Sequence, residues 1–153
     1  MKRLLIITLI TALLLPAAAM AAGTVTVDTG GDKFGHRWVK FSCVGDASNG
    51  TVPATTLTAE QTRFLTELGR YPFRLIVTNA AADTSVTDNS DIYLKDAAGH
   101  DYLNAQGVDA LDDDTSNYIR LTQYDPIVEP LIFTTANQAT ASGVWTVQII
   151  FVQ

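Results

Sequence analysis

Short stretches that alternate apolar and polar residues, each stopped by a turn, leave few folds open to this chain. Gly23–Val27 is β-branched and alternating, and so is His36–Val44, where Val39, Phe41 and Cys43 share one face and Trp38, Lys40 and Ser42 the other. Tyr71–Thr78, Asp91–Lys95, Asn117–Thr122, Pro130–Thr135 and Gly143–Val152 read the same way. Between them lie Asp28–Asp32, Gly45–Gly50, Ala80–Ser90, Asp96–Gly99 and Tyr102–Asp114, rich in Gly, Asp, Asn and Ala, and read as turns and loops. About seven short strands at regular spacing predict an all-β fold of sandwich or jelly-roll type. No internal repeat, linker or low-complexity tract is visible.

One segment breaks the period. Over Thr58–Gly69, Leu57, Phe64, Leu65 and Leu68 fall on one helical face, Thr58 and Gln61 have capping-box spacing, and Gly69 supplies a stop. One short helix is expected there; Arg63–Leu68 also fits a strand, since Phe64 and Leu68 share parity. The last segment is apolar at nearly every position from Val144 to Val152, so it is expected at the centre of a sheet. Asn137–Ser142 is expected to join it to Pro130–Thr135 as a hairpin.

Residues 1–21 stand apart. Lys2 and Arg3 precede an apolar run from Leu4 to Leu15, then come Pro16 and a small-residue exit, Ala17 to Ala22. Charged start, apolar core and an A-x-A exit at Ala19-Met20-Ala21 are the parts of a secretion signal, with Ala17-Ala18-Ala19 as a competing site. An uncleaved anchor is the other reading, but twelve residues before a proline fall short of the roughly 20 that span a bilayer. The expected mature chain, 22–153, is one domain, exported to the periplasm, the exterior or a particle surface, with no stable membrane insertion. It carries eight basic and sixteen acidic residues. That balance disfavours nucleic acid, whose phosphates need clustered Lys and Arg. Cys43 is the only cysteine, so no intrachain disulfide can form; its parity with Val39 and Phe41 makes it a small buried hydrophobe.

Chemistry-bearing motifs are sparse. His36 and His100 are the only histidines, and the chain has no H-x-H, H-E-x-x-H, G-x-S-x-G or phosphate loop. A secreted hydrolase would have to rest on those two histidines, and no catalytic residue or cofactor is expected. The densest oxygen-rich patch is Asp109, Asp112, Asp113, Asp114 and Asn117; Asp88, Asn89 and Asp91 form a second. Oxygens in such loops are candidate Ca²⁺ ligands, although the EF-hand pattern is missing, and a solvated loop is the plainer reading. Trp38, on the face opposite Val39, is the candidate aromatic contact for a glycan or protein partner.

The stretch Val86-Thr87-Asp88-Asn89-Ser90-Asp91-Ile92-Tyr93-Leu94-Lys95-Asp96-Ala97-Ala98-Gly99-His100-Asp101 resembles a segment of small β-rich proteins in tailed-phage and prophage structural gene sets, where a P-T-D-N-Y-D turn leads into a strand and a second Asp/Gly turn. The order around it is similar from Arg37 to Val152. The resemblance implies a β-rich particle protein that assembles with its neighbours. Two readings therefore stand side by side. One is an exported, non-catalytic structural or interaction protein, phage-virion-like, that self-associates or joins another surface or particle protein. In it, the N-terminal strand Thr24–Val27, freed by signal cleavage, is the element to exchange. The other is a monomeric extracellular module for glycan or Ca²⁺-dependent adhesion built on Trp38 and the Asp109–Asn117 loop.

Overall fold

The structure is a computed structural model, and it describes residues 22–79, 86–111, 116–122 and 125–153. Eight strands and one short helix follow each other: β1 Thr24–Gly31, β2 Arg37–Val44, β3 Thr55–Thr56, α1 Ala59–Thr66, β4 Tyr71–Asn79, β5 Asp91–Lys95, β6 Asn117–Arg120, β7 Ile132–Ala136 and β8 Val144–Val152. They form a five-stranded sheet in the order β1-β2-β8-β4-β6 and a three-stranded sheet in the order β3-β7-β5. Every pairing is antiparallel. The fold is all-β, as the alternation predicts. The expected signal, 1–21, lies outside the described residues.

Alternation decides which face is buried. Val39, Phe41 and Cys43 of β2 and Trp145, Val147, Ile149 and Phe151 of β8 are all at most 1% exposed, and they share one core with Leu75 and Val77 of β4. Ile92 and Leu94 of β5 and Phe133 of β7 complete that core from the other sheet. Phe41 and Phe133, one from each sheet, stack with ring centroids 4.0 Å apart and planes 9° from parallel. The two sheets thus share a single apolar interior. Strand β8 lies third of five, central as expected.

The helix is shorter than its periodicity predicts. Thr58 and Gln61 close the capping box, the Gln61 amide donating to Thr58 Oγ1 and the Thr58 amide to Gln61 Oε1. After Thr66 the chain tightens into a 3₁₀ turn, Glu67–Gly69, in which Leu68 takes φ 66°. That turn swings Leu68 off the face shared by Leu57 and Leu65 and leaves it exposed. Arg70, nearly buried, ties the turn to the β1–β2 connection by donating from Nε to the Gly35 carbonyl at 3.3 Å.

Two further expectations are corrected. Strand β1 runs straight through Asp28–Gly31, which reads as a turn in the sequence. The reversal comes later, at Asp32–His36, and the Trp38 ring lies over Gly30, where a Cβ would sit 2.3 Å from the ring. Second, 137–143 is not a hairpin loop, because β7 and β8 belong to different sheets. It is a crossover held at both ends. Ala139 and Thr140 amides donate to Thr87 Oγ1, the Thr87 amide donates to Gln138 Oε1, and the Gly45 amide donates to the Gly143 carbonyl. The two-residue β3 carries no alternating signature in the sequence.

Candidate functional site

The candidate residues do not converge. Trp38 lies on the outer face of the five-stranded sheet, as its parity requires, but half-buried over Gly30. Asp109 is exposed at the far end of the turns 102–109, with φ 52°, and its amide donates to Asp91 Oδ1 at 3.0 Å. Asp112, Asp113 and Asp114 lie outside the described residues. Among the described residues, no three His, Cys, Asp or Glu side chains gather as a metal site.

In the second acidic patch, Asp91 is 6% exposed and occupied by protein donors. Its Oδ1 accepts from Asp109, and its Oδ2 accepts from Asn137 Nδ2 at 2.9 Å and from the Tyr93 hydroxyl at 3.1 Å. A carboxylate so satisfied holds three segments together. It pins the turn at Asp109 and the crossover at Asn137 to the start of β5.

The two histidines occupy twin turns. Asp32-Lys33-Phe34-Gly35-His36 and Asp96-Ala97-Ala98-Gly99-His100 share the pattern D-x-x-G-H. In the first, Asp32 Oδ1 accepts from the Phe34 and His36 amides at 2.8 and 3.0 Å. In the second, Asp96 Oδ1 accepts from Ala98 and His100 at 2.9 and 3.0 Å. Each glycine sits at positive φ, 86° and 89°, and donates back to the aspartate carbonyl. A side chain with a Cβ rarely adopts that backbone. His36 Nδ1 meets Asp32 Oδ2 at 2.7 Å, while His100 Nε2 meets Asp125 Oδ2 at 3.2 Å and its ring packs edge-on against Tyr102. The imidazoles belong to separate reverse turns, and each meets a different aspartate. The shared pattern is only five residues long, too short to stand out as a repeat in the sequence.

These turns set a pH dependence. Desolvation pushes the Asp32 carboxyl upward, but hydrogen bonds from the His36 side chain and the Phe34 and His36 amides outweigh it and hold the group below 3.8. For Asp96 the balance is the same, with the His100 and Ala98 amides outweighing desolvation. Asp46 is held low by the Ser48 side chain and amide. A carboxylate whose folded pKa is depressed stabilises the fold above its unfolded pKa and loses that contribution as pH falls through the folded value. The contribution of these carboxylates to the midpoint of thermal unfolding should therefore be intact above about pH 5 and be lost as pH falls below about 4. Combined Asp32→Asn, Asp46→Asn and Asp96→Asn substitutions keep the acceptors and remove the titration. They should flatten the acid limb, and an unchanged limb would place the acid sensitivity elsewhere.

Cys43 is inert by burial, which pushes its thiol up to about 12. The clefts are open and shallow. One of about 320 Å³ is lined by Thr66, Gly69, Arg70, Tyr71, Asp125, Pro126 and Ile127.

Sheet edges differ more sharply than the clefts do. The outer side of β5 is covered by 101–111: the Ile92 amide donates to the Gly107 carbonyl at 2.7 Å, the Tyr102 amide to the Leu94 carbonyl at 2.8 Å, and Ser90 bridges Leu111. At the other edges, β3 is two residues long and β6 four. Strand β1 is eight residues long, paired to β2 along its whole length, and has no strand on its other side among the described residues.

Comparison with protein-family models, with curated proteins and with solved structures finds no match to the chain.

Proposed function

We propose that the mature chain is an exported, non-catalytic β domain that assembles, with copies of itself or with another particle or surface protein, by pairing along the free edge of β1. The observation behind this reading is the asymmetry of the edges. A long exposed edge is a template for another strand, and proteins that stay single cover, shorten or charge such edges. Here β5 is covered and β3 and β6 are short, while β1 is long, and Asp28 is its only charged residue. Only Val25 and Val27 of β1 pack partly against the core, so the strand is held mainly by its ladder to β2.

The pairing is also nested: β2 with β8, β3 with β7, β4 with β6. We read this as the wrapping of a jelly roll, an architecture that serves capsid and lectin domains alike. Fold alone does not choose between such roles. The resemblance of Val86–Asp101 to phage structural proteins, the acidic balance and the secretion-signal pattern favour a surface or particle component over an enzyme.

The test is the solution mass of residues 22–153 by light scattering, with three variants. A defined oligomer is expected for the parent chain. Removing Gly23–Val27 should return it to monomer. Thr24→Lys with Thr26→Lys should do the same while leaving the ladder to β2 intact, because lysines on an edge block pairing. Val25→Cys stands opposite Cys43 in register, within reach of a disulfide. This lock should preserve assembly by edge pairing and abolish assembly by strand exchange. A monomeric parent chain would overturn self-assembly and leave only pairing with another protein, and an oligomer untouched by the lysine pair would overturn assembly through β1.

A further inference from the structure

Strand register brings together a cationic, aromatic row that the linear sequence disperses. On the outer face of the five-stranded sheet, Gly30, Trp38, Ile150, Arg74 and Arg120 stand in register across all five strands. Arg74 and Arg120 are direct cross-strand partners, and both are exposed. Like charges directly opposite each other destabilise a sheet, so folding alone does not call for this pair. Neither guanidinium has a carboxylate partner among the described residues, where the ion pairs are His36–Asp32, Arg37–Glu67 and His100–Asp125.

A local irregularity sharpens the feature. The β4 register slips between Pro72 and Arg74, a bulge that adds Phe73 to the strand. Bulges re-aim side chains and recur beside functional sites. Phe73 is carried to the outer face: Arg74 and Arg120 lie 5.8 and 5.2 Å from its ring centroid, and with His36, Arg74, Ile150 and Val152 it lines a cleft of about 110 Å³. Trp38 lies over Gly30 two strands from Arg74, roughly 10 Å away at ordinary strand spacing. Tyr118, 69% exposed, stands in the next row beside Ile76.

The geometry points to this face as a binding platform for an acidic polysaccharide, with Arg74 and Arg120 taking the carboxylate or sulfate groups and Trp38 and Phe73 taking the faces of the sugar rings. Charge complementarity carries the choice of occupant. The chain is net acidic, yet two cations with no carboxylate partner among the described residues converge here on one aromatic ring. Guanidinium groups recognise planar oxyanions by paired hydrogen bonds, and flat aromatic surfaces provide contact area at low conformational cost. Single-stranded nucleic acid also uses stacking and basic side chains, but it needs a basic groove tracking the backbone. With eight basic residues against sixteen acidic in 22–153, and Lys40 of this face standing opposite Asp28, no such groove is supplied. The platform uses the sheet face, so it operates whether or not β1 pairs.

The experiment is a titration of residues 22–153 with a galacturonic-acid tetrasaccharide, followed by tryptophan fluorescence. Trp145 is wholly buried and serves as a constant background. A saturable change reporting Trp38 is expected. Arg74→Gln with Arg120→Gln should weaken it by roughly 10- to 100-fold, the scale of one or two lost charge-assisted hydrogen bonds. Both side chains are exposed, so the variant should fold, which circular dichroism checks. Trp38→Phe should weaken binding while abolishing the signal, so calorimetry reads that variant. A neutral tetrasaccharide should not saturate. Three results would each overturn the proposal: no binding of the acidic sugar, binding unchanged in the double arginine variant, or tighter binding of an oligothymidylate than of the sugar.

Discussion

Truncation of Phe133 to alanine should destabilise the domain by about 3–5 kcal/mol, the cost of removing a buried aromatic side chain and leaving a cavity. Phe133 is 0% exposed and stacks on Phe41 at 4.0 Å. It is the point where β7 of the small sheet meets β2 of the large one. Neighbouring rigid strands cannot collapse into the gap, so the loss should fall at the upper part of that range. Single domains have about 5–15 kcal/mol in all, so one substitution removes a large share of the total. Urea unfolding of the parent and Phe133→Ala chains reads this as a shift in midpoint at constant slope. Phe133→Leu keeps most of the volume and should cost markedly less. A loss under about 1 kcal/mol for Phe133→Ala would mean that the sheets do not depend on this contact.

Gly107→Ala should be nearly as damaging, for a different reason. A Cβ at Gly107 would stand 2.0 Å from the Ile92 carbonyl oxygen, inside the space where 101–111 lies against β5. No side chain can yield there, because the obstacle is backbone. The segment must move away, which breaks the bond from the Ile92 amide to the Gly107 carbonyl and uncovers the edge of β5. A loss of about 3 kcal/mol is expected, the upper end of ordinary single substitutions. A bare edge also invites pairing between chains, so Gly107→Ala should aggregate on mild heating at temperatures the parent tolerates. A soluble variant with parent-like stability would show that this cover is dispensable.

How much of this was legible in the sequence depended on whether the signal was local. The inward triplet Val39, Phe41, Cys43 follows from alternation and occupies the core, and the near-continuous apolar run of β8 places it at the centre of its sheet, both as expected. The capping box at Thr58 and Gln61 is likewise complete within four residues. Long-range pairing was not legible. The composition of 137–143 signals a reversal but not a change of sheet, which depends on anchors at Thr87 and Gly45 far along the chain. The glycines of β1 look like a turn because a glycine usually weakens a strand, and the ring that covers Gly30 comes from the neighbouring strand.

The candidate site divides the same way. Trp38 lies on the face its parity assigns. Asp109 is engaged in a structural bond through its amide, and Asp91, a plausible metal ligand by composition, is saturated by protein donors. The histidines attract attention as chemistry, yet each is the last residue of a D-x-x-G-H turn. Arg74, Arg120 and Phe73 carry no local signal, because only the β4–β6 register and the bulge at Pro72 bring them together.

Assembly through β1 is tested most directly by amide hydrogen exchange of residues 22–153 across a concentration series that spans monomer to oligomer. Edge amides of Thr24–Gly31 that do not bond to β2 face no other strand among the described residues, and they should become protected in step with the rise in mass. Other segments should change little. An oligomer that forms with β1 as exchangeable as before, while protection appears elsewhere, would contradict the account.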